Sequence, residues 1–236
     1  MRSEESQTSG NTTILYYHSI THDRATEQED ALPLIEEIFP DPDLDSQDCD
    51  NTGFTQYRWK ERIDAKNFGP IIKMQGKATY DICRAGEKET EESKYRRDHL
   101  TDAIKKLEQI LSTEVTRKTV RFADKEHKFL VAIPDGLINS DKMVDIRCPL
   151  RCSKLSMEKV AVEDENFCLE RCEDGRLKLR EDHDYFYQVQ GALNLSLRDF
   201  CFFVVWSPSE FHYQVIQRDP HCWQVMQCTN GGIGRD

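Results

Sequence analysis

From Glu92 onward the apolar positions of the chain fall into two alternating periods. Leu100, Ala103, Ile104, Leu107, Ile110 and Leu111 recur three and four residues apart, which predicts an amphipathic helix over 95–113. The period then drops towards two. Val120 and Phe122 alternate within 116–122, 129–133 is a short apolar run, and 143–148 is another. Polar turns at Asp124-Lys125-Glu126 and Asn139-Ser140-Asp141-Lys142 separate these runs, so the expectation is a helix followed by a three-stranded meander. Ser153 is the expected N-cap of a helix over 154–162. Runs at 167–169 and 176–179 flank Glu173-Asp174-Gly175, the chemistry of a hairpin. Residues 183–195 return to helical spacing through Tyr185, Val189, Ala192 and Leu193. The unbroken apolar run 200–206 suits a central strand covered on both faces, and 211–216 alternates as a neighbour to it.

The first 94 residues lack this order. Residues 1–50 are polar and interrupted by Pro33, Pro40 and Pro42, and are expected to form an acidic, disordered N-terminal extension. Its short apolar piece, 32–39, is suited to docking on the body or on a protein partner. Residues 51–94 are a helical or irregular lead-in, expected to pack on the core through Trp59, Phe68, Ile71, Ile72 and Met74, with breaks at Gly69-Pro70 and Gly76. Residues 95–236 form the main domain.

Charge is distributed just as unevenly. Of a net charge of −11, almost all sits in 21–50, where eleven acids face the single base Arg24. The body is near neutral, so overall acidity does not exclude a nucleic-acid partner. Lys94, Arg96, Arg97, Lys105, Lys106, Arg117, Lys118 and Arg121 make the segment before the meander basic. Arg117, Lys118 and Arg121 are its candidates for nucleic-acid phosphates; the plainer reading is a solvated helix face diluted by acids such as Glu108. Nine cysteines, acids where an export signal carries bases, and no run of membrane-spanning length give the expectation of an intracellular chain, cytoplasmic or nuclear rather than secreted, with reduced thiols. The spacing Cys148-x3-Cys152 and Cys168-x3-Cys172 admits a four-thiolate zinc site, but ordinary thiols are the better reading.

The chemistry concentrates in Ala132–Pro149. Pro134-Asp135-Gly136 closes one apolar run, and Asp145-Ile146-Arg147 lies in the next. Asp145 and Arg147 are two apart and share a strand face. Carboxylates bind hard cations such as Mg²⁺ or Mn²⁺, which polarise a phosphodiester. Asp135 and Asp145 are the candidate metal ligands, with the Ile146 main-chain carbonyl as a third. Arg147 occupies the position of the cation that would hold or deprotonate water.

These blocks resemble the PD-(D/E)XK nucleases, and within them the YqaJ-type viral recombinase branch that includes phage lambda exonuclease. The residues carrying the resemblance are Pro134-Asp135-Gly136-Leu137, Asp145-Ile146-Arg147-Cys148-Pro149, Asp184-Tyr185-Phe186-Tyr187-Gln188-Val189-Gln190-Gly191 and Phe203-Val204-Val205-Trp206, in order, across about 95–220. The resemblance implies an α/β restriction-endonuclease-like core, a central mixed sheet flanked by helices. It implies a Mg²⁺- or Mn²⁺-dependent exonuclease acting at DNA ends, double-stranded above all, in recombination or repair, and admits an oligomer. It makes Asp135, Asp145, Arg147 and Gln188 catalytic residues and asks for a further acid from the upstream helix, for which Asp102 is the first candidate and Glu108 the next. Two departures set up the alternative. Asp145 stands where the branch has Glu, and Arg147 where it has Lys. Arginine stays protonated and cannot act as a general base. The alternative is therefore a weakened or inactive nuclease-fold module that binds nucleic acid or a protein.

Overall fold

A computed structural model describes residues 63–73, 89–117, 120–124 and 129–228, together with the backbone of 37–38. Most of the acidic extension and of the lead-in, with Trp59 and Met74, lies outside the described residues.

The architecture is a mixed α/β fold built on two four-stranded sheets and a separate hairpin. The central sheet holds β5 (Gly136–Ile138), β6 (Lys142–Arg147), β9 (Phe200–Trp206) and β10 (Phe211–Gln217), in the order β10-β9-β6-β5. β6 and β9 run parallel, and the other pairs are antiparallel. The parallel pair requires a crossover, and α4 (Asp184–Ser196) supplies its last leg. The second sheet has the order β1-β3-β4-β2, from β1 (Glu37–Ile38), β2 (Ile63–Asp64), β3 (Arg121–Ala123) and β4 (Leu130–Ala132).

The pleat explains why the central strands are apolar throughout. From β6, Met143 joins the core on one face, with Cys201, Phe203 and Val205 of β9, against Val189, Ala192 and Leu193 of α4. Val144 and Ile146, with Phe202 and Val204, point the other way and meet Ala103, Ile104 and Leu107 of α2 (Glu91–Leu111). Both faces are covered, so neither strand has a solvent side to make polar. Asp145 and Arg147 share the face of Met143, and they are the exceptions in this core.

Several expected boundaries move for local reasons. α2 begins at Glu91 rather than 95, because Thr90 and Ser93 form a reciprocal capping box and Glu91 and Glu92 suit the first turn. Leu150–Ser153 is a 3-10 turn, and the helix after it, α3 (Met157–Glu163), is capped by Ser156 rather than Ser153. The hairpin β7 (Leu169–Arg171) and β8 (Leu177–Leu179) turns through Gly175 at φ 84°, as its Asp-Gly predicts. β9 has the bounds expected of it, and β10 pairs antiparallel beside it. α5 (Pro220–Cys228) follows β10.

The meander is the expectation that fails. β3 and β4 pair in the second sheet, whereas β5 and β6 pair in the central one. The chain leaves one sheet and enters the other through Ile133-Pro134-Asp135. Proline brings no backbone N–H to a ladder, so a strand ends readily here. The backbone N–H of Asp135 donates to the Val144 carbonyl at 3.0 Å and starts the new pairing.

The lead-in contributes α1 (Phe68–Lys73), whose Phe68 and Ile71 are buried. Phe68 lies against Gly191 of α4, where an added Cβ would come within 2.2 Å of the Phe68 ring. Among the described residues no helix is long and apolar enough to cross a membrane. Gly191→Ala is expected to lower stability by about 1–3 kcal/mol despite alanine's better helix propensity, because the ring has no room to retreat. Chemical denaturation should show part of the loss recovered when Phe68→Leu is added.

Candidate functional site

The centre forms where the seam between the sheets meets β6. Asp135 sits at the start of β5 with its carboxylate turned to the β6 backbone, and Oδ2 accepts the Ile146 N–H at 2.7 Å. Arg96 reaches the same place from α2. Its Nη2 donates to Asp135 Oδ1 and Oδ2 at 2.5 and 2.7 Å, and its Nε donates to the Ile146 carbonyl at 2.8 Å. One guanidinium thus bridges the carboxylate and the carbonyl that the sequence marks as metal ligands. Burial alone would lower the Arg96 pKa, but the Asp135 carboxylate more than offsets it and raises the pKa, so Arg96 stays charged.

On the opposite face of β6, Asp145 and Arg147 make a second pair. Arg147 Nη2 lies 2.8 Å from Asp145 Oδ1 and donates to Oδ2 at 3.1 Å. Asp145 is 4% exposed and Arg147 9%. The Arg147 guanidinium stacks on the Tyr185 ring, 3.9 Å from its centroid, where the ring face favours a cation. Gln188 Nε2 donates to Asp145 Oδ2 at 3.0 Å. Tyr185 and Gln188 are three apart on α4 and so share the face turned to β6. His183 caps that helix, its Nδ1 accepting the Tyr185 N–H at 3.1 Å. Burial raises the Asp145 pKa; Arg147 pulls it down without cancelling the rise, and Asp135 adds to it.

Of the four catalytic candidates, Asp145, Arg147 and Gln188 are in direct contact and Asp135 is held on the backbone of Ile146, and each acid is closed by an arginine, Asp145 by Arg147 and Asp135 by Arg96. Asp102 is elsewhere: its side chain is 61% exposed and lies 3.7 Å from His99 on the same helix. Glu108 accepts the Val115 N–H at 2.8 Å and closes the end of α2. The side chain that α2 sends to Asp135 is a base. In the sequence Arg96 counts only as one member of the basic segment. The signal that singles it out was present: residues 96, 100, 103 and 107 form one helical stripe, and the other three positions are apolar.

Arg117 is exposed and donates to Thr101 Oγ1 at 3.1 Å on the flank of α2. Arg121 opens β3 opposite Ile38 of β1. Lys118 lies outside the described residues. Tyr95 and His99 of α2 extend to Trp206 at the end of β9 as a ring stack, with His99 and Trp206 centroids 5.0 Å apart. Cys148, Cys152 and Cys168 are buried, and burial pushes each thiol up to about 12.

A divalent ion does not fit the residues as they stand. Two of its expected oxygen donors are held by Arg96, Asp145 is held by Arg147 and Gln188, and among the described residues no group of three or more His, Cys, Asp or Glu side chains is arranged to hold an ion. The four charges instead neutralise one another.

Breaking one buried pair should be costly. Arg147→Met leaves Asp145 without its partner and is expected to destabilise the fold by about 3–5 kcal/mol, whereas adding Asp145→Leu should recover much of this. The single-variant loss should grow with pH. A native carboxyl with a raised pKa binds its proton more tightly than the unfolded chain does, so stability declines as pH rises above the unfolded value near 4. Denaturant midpoints at pH 5 and pH 8 measure both effects.

No family model matches the chain, and no curated protein matches it. Solved structures do. The structure of the exonuclease LHK-Exo in complex with dAMP superposes with a TM-score of 0.52 at 16% identity, covering 69% of this chain and 80% of that one. The alkaline exonuclease LHK-Exo from Laribacter hongkongensis gives 0.50 at 16% identity, covering 68% and 79%. A phage-related exonuclease from Haemophilus somnus gives 0.50 at 13% identity, covering 69% and 87%. The chain therefore has the restriction-endonuclease-like α/β fold of the phage-type alkaline exonucleases, as the four sequence blocks imply.

Proposed function

We propose that this protein is a nuclease-fold module that engages DNA, with its hydrolytic centre converted into two arginine–aspartate pairs. The observation that carries the reading is the Arg96 bridge from Asp135 to the Ile146 carbonyl. Hydrolysis of a phosphodiester at neutral pH needs a polarising cation with open positions and a group that can take a proton. Arg96 is a cation without open coordination positions. Arg147 cannot take a proton, and its guanidinium is committed to Asp145 and the Tyr185 face.

DNA as the ligand is supported by the exonuclease neighbours, one of them in complex with dAMP. The exposed Lys94, Lys105 and Arg117 give α2 and the segment after it positive charge for backbone phosphates. The centre itself adds little attraction, because its charges cancel. DNA ends met in recombination or repair remain the proposed setting.

The Mg²⁺- or Mn²⁺-dependent exonuclease keeps one specific observation in its favour: Asp135 is held on the β6 backbone at Ile146, close enough to raise the pKa of Asp145, which Gln188 touches from α4. A linear duplex incubated with excess protein in either metal separates the two readings. The expected outcome is salt-dependent binding without digestion, weakened about three- to ten-fold by Lys105→Glu with Arg117→Glu. Metal-dependent digestion that Asp135→Ala abolishes would overturn it and establish the exonuclease. Absence of binding at low salt to duplex and single-stranded ends would remove DNA as the ligand.

A further inference from the structure

We propose that Arg96 is the resident cation of this centre: it takes the place of a divalent ion between the Asp135 carboxylate and the Ile146 carbonyl, and its removal alone opens a divalent-cation site there. The inference rests on the functional reading above and deepens it, since it names the residue responsible.

The geometry argues for replacement rather than a chance surface contact. The guanidinium uses two different edges on two different acceptors, Nη2 on the carboxylate and Nε on the main-chain carbonyl. A hard divalent cation would need the same two kinds of oxygen. Arg96 is placed by its helix, not by a loop. It belongs to the stripe that includes Leu100, Ala103 and Leu107, and the buried Ala103 and Leu107 hold that stripe against Val144 and Ile146 of the central sheet. The Arg96 side chain is 32% exposed and that of Asp135 14%, so one edge of the site opens to solvent once the guanidinium is gone.

Charge points the same way. Asp135 and Asp145 are balanced by Arg96 and Arg147, and a dication added to that set would face two fixed positive charges. Without Arg96 the set carries a net negative charge, and the Asp135 carboxylate loses its cationic partner. It keeps the Ile146 N–H, which orients it without neutralising it. Waters can fill the remaining coordination positions of Mn²⁺ or Mg²⁺.

The test is Mn²⁺ binding to the full chain, read by titration calorimetry and by the paramagnetic signal of free Mn²⁺, for the parent, Arg96→Ala, Arg96→Gln and Arg96→Ala with Asp135→Asn. Arg96→Ala and Arg96→Gln are expected to gain one site, at least about ten-fold tighter than any in the parent, and the double variant to lose it. Saturable binding to the parent that Asp135→Asn removes would overturn the proposal, as would folded Arg96 variants that bind no Mn²⁺. If either variant is unfolded alone, Mn²⁺ should restore its far-UV signal and melting transition, and no recovery counts as failure. Variants that gain nothing, beside a parent that neither binds Mn²⁺ nor digests DNA, sink this inference alone; digestion by the parent sinks the functional reading.

Discussion

Two opposite charges buried on one central strand set the terms for everything around them. β6 lies inside the sheet, with β5 and β9 hydrogen-bonded at its edges and helices over its faces. At Asp145 and Arg147 it carries charge into a region otherwise filled by Met143, Phe203 and Val205. Ions so placed must be compensated at close range, because water cannot reach them. The strand compensates them with each other, and α4 completes the work with the Tyr185 ring and the Gln188 amide. The position of α4 is fixed in turn by other polar contacts. Gln190 Nε2 donates to the Gln217 carbonyl and its Oε1 accepts the Asp219 N–H, which ties the helix to the end of β10.

The other face of the strand follows a different plan. There α2 packs by apolar contact, and its Arg96 meets the carboxylate at the sheet boundary. Each face is therefore neutral by itself. The fold keeps the acids that a phosphodiester-cleaving centre would use but surrounds them with guanidinium groups. Fold and chemistry are thus separate matters in this chain: the α/β architecture is the one found in the exonuclease structures, while the two acids on and beside β6 are each paired with a guanidinium group.

Much of this was legible in the residues. The unbroken run of β9 reported a strand covered on both faces, and the alternation in β6 placed Asp145 and Arg147 side by side. The blocks from Pro134 to Trp206 were specific enough to imply the fold, and Arg147 was recognisable as a group that cannot take a proton. What stayed hidden depended on long-range placement. The split of the meander into two sheets is a matter of long-range pairing: Pro134 marks the break locally, but which sheet each strand joins is set by distant partners. Arg96 was hidden for a different reason. Seven other bases lie between Lys94 and Arg121, and only its place on the apolar stripe of α2 sets it apart. The acid that the family pattern asks of that helix has only the exposed Asp102 as its first candidate, and Asp102 points away from the centre. The capping box at Thr90 and Ser93 was missed because Ser at the third helical position does there what Glu or Gln usually does.

The crossing at Ile133-Pro134-Asp135 gives the Arg96 bridge a mechanical meaning as well. It is the joint at which one sheet hands the chain to the other, and Arg96 fastens α2 to its last residue, through the Asp135 carboxylate, and to the neighbouring β6 backbone. In a centre held by a dissociable ion, such a joint would loosen and tighten with the ion's supply. Here the fastener is covalently part of the polypeptide. It cannot be diluted or chelated, and it is in place as soon as α2 has packed, so the geometry of the joint is inherited from the sequence instead of being set by the surrounding medium.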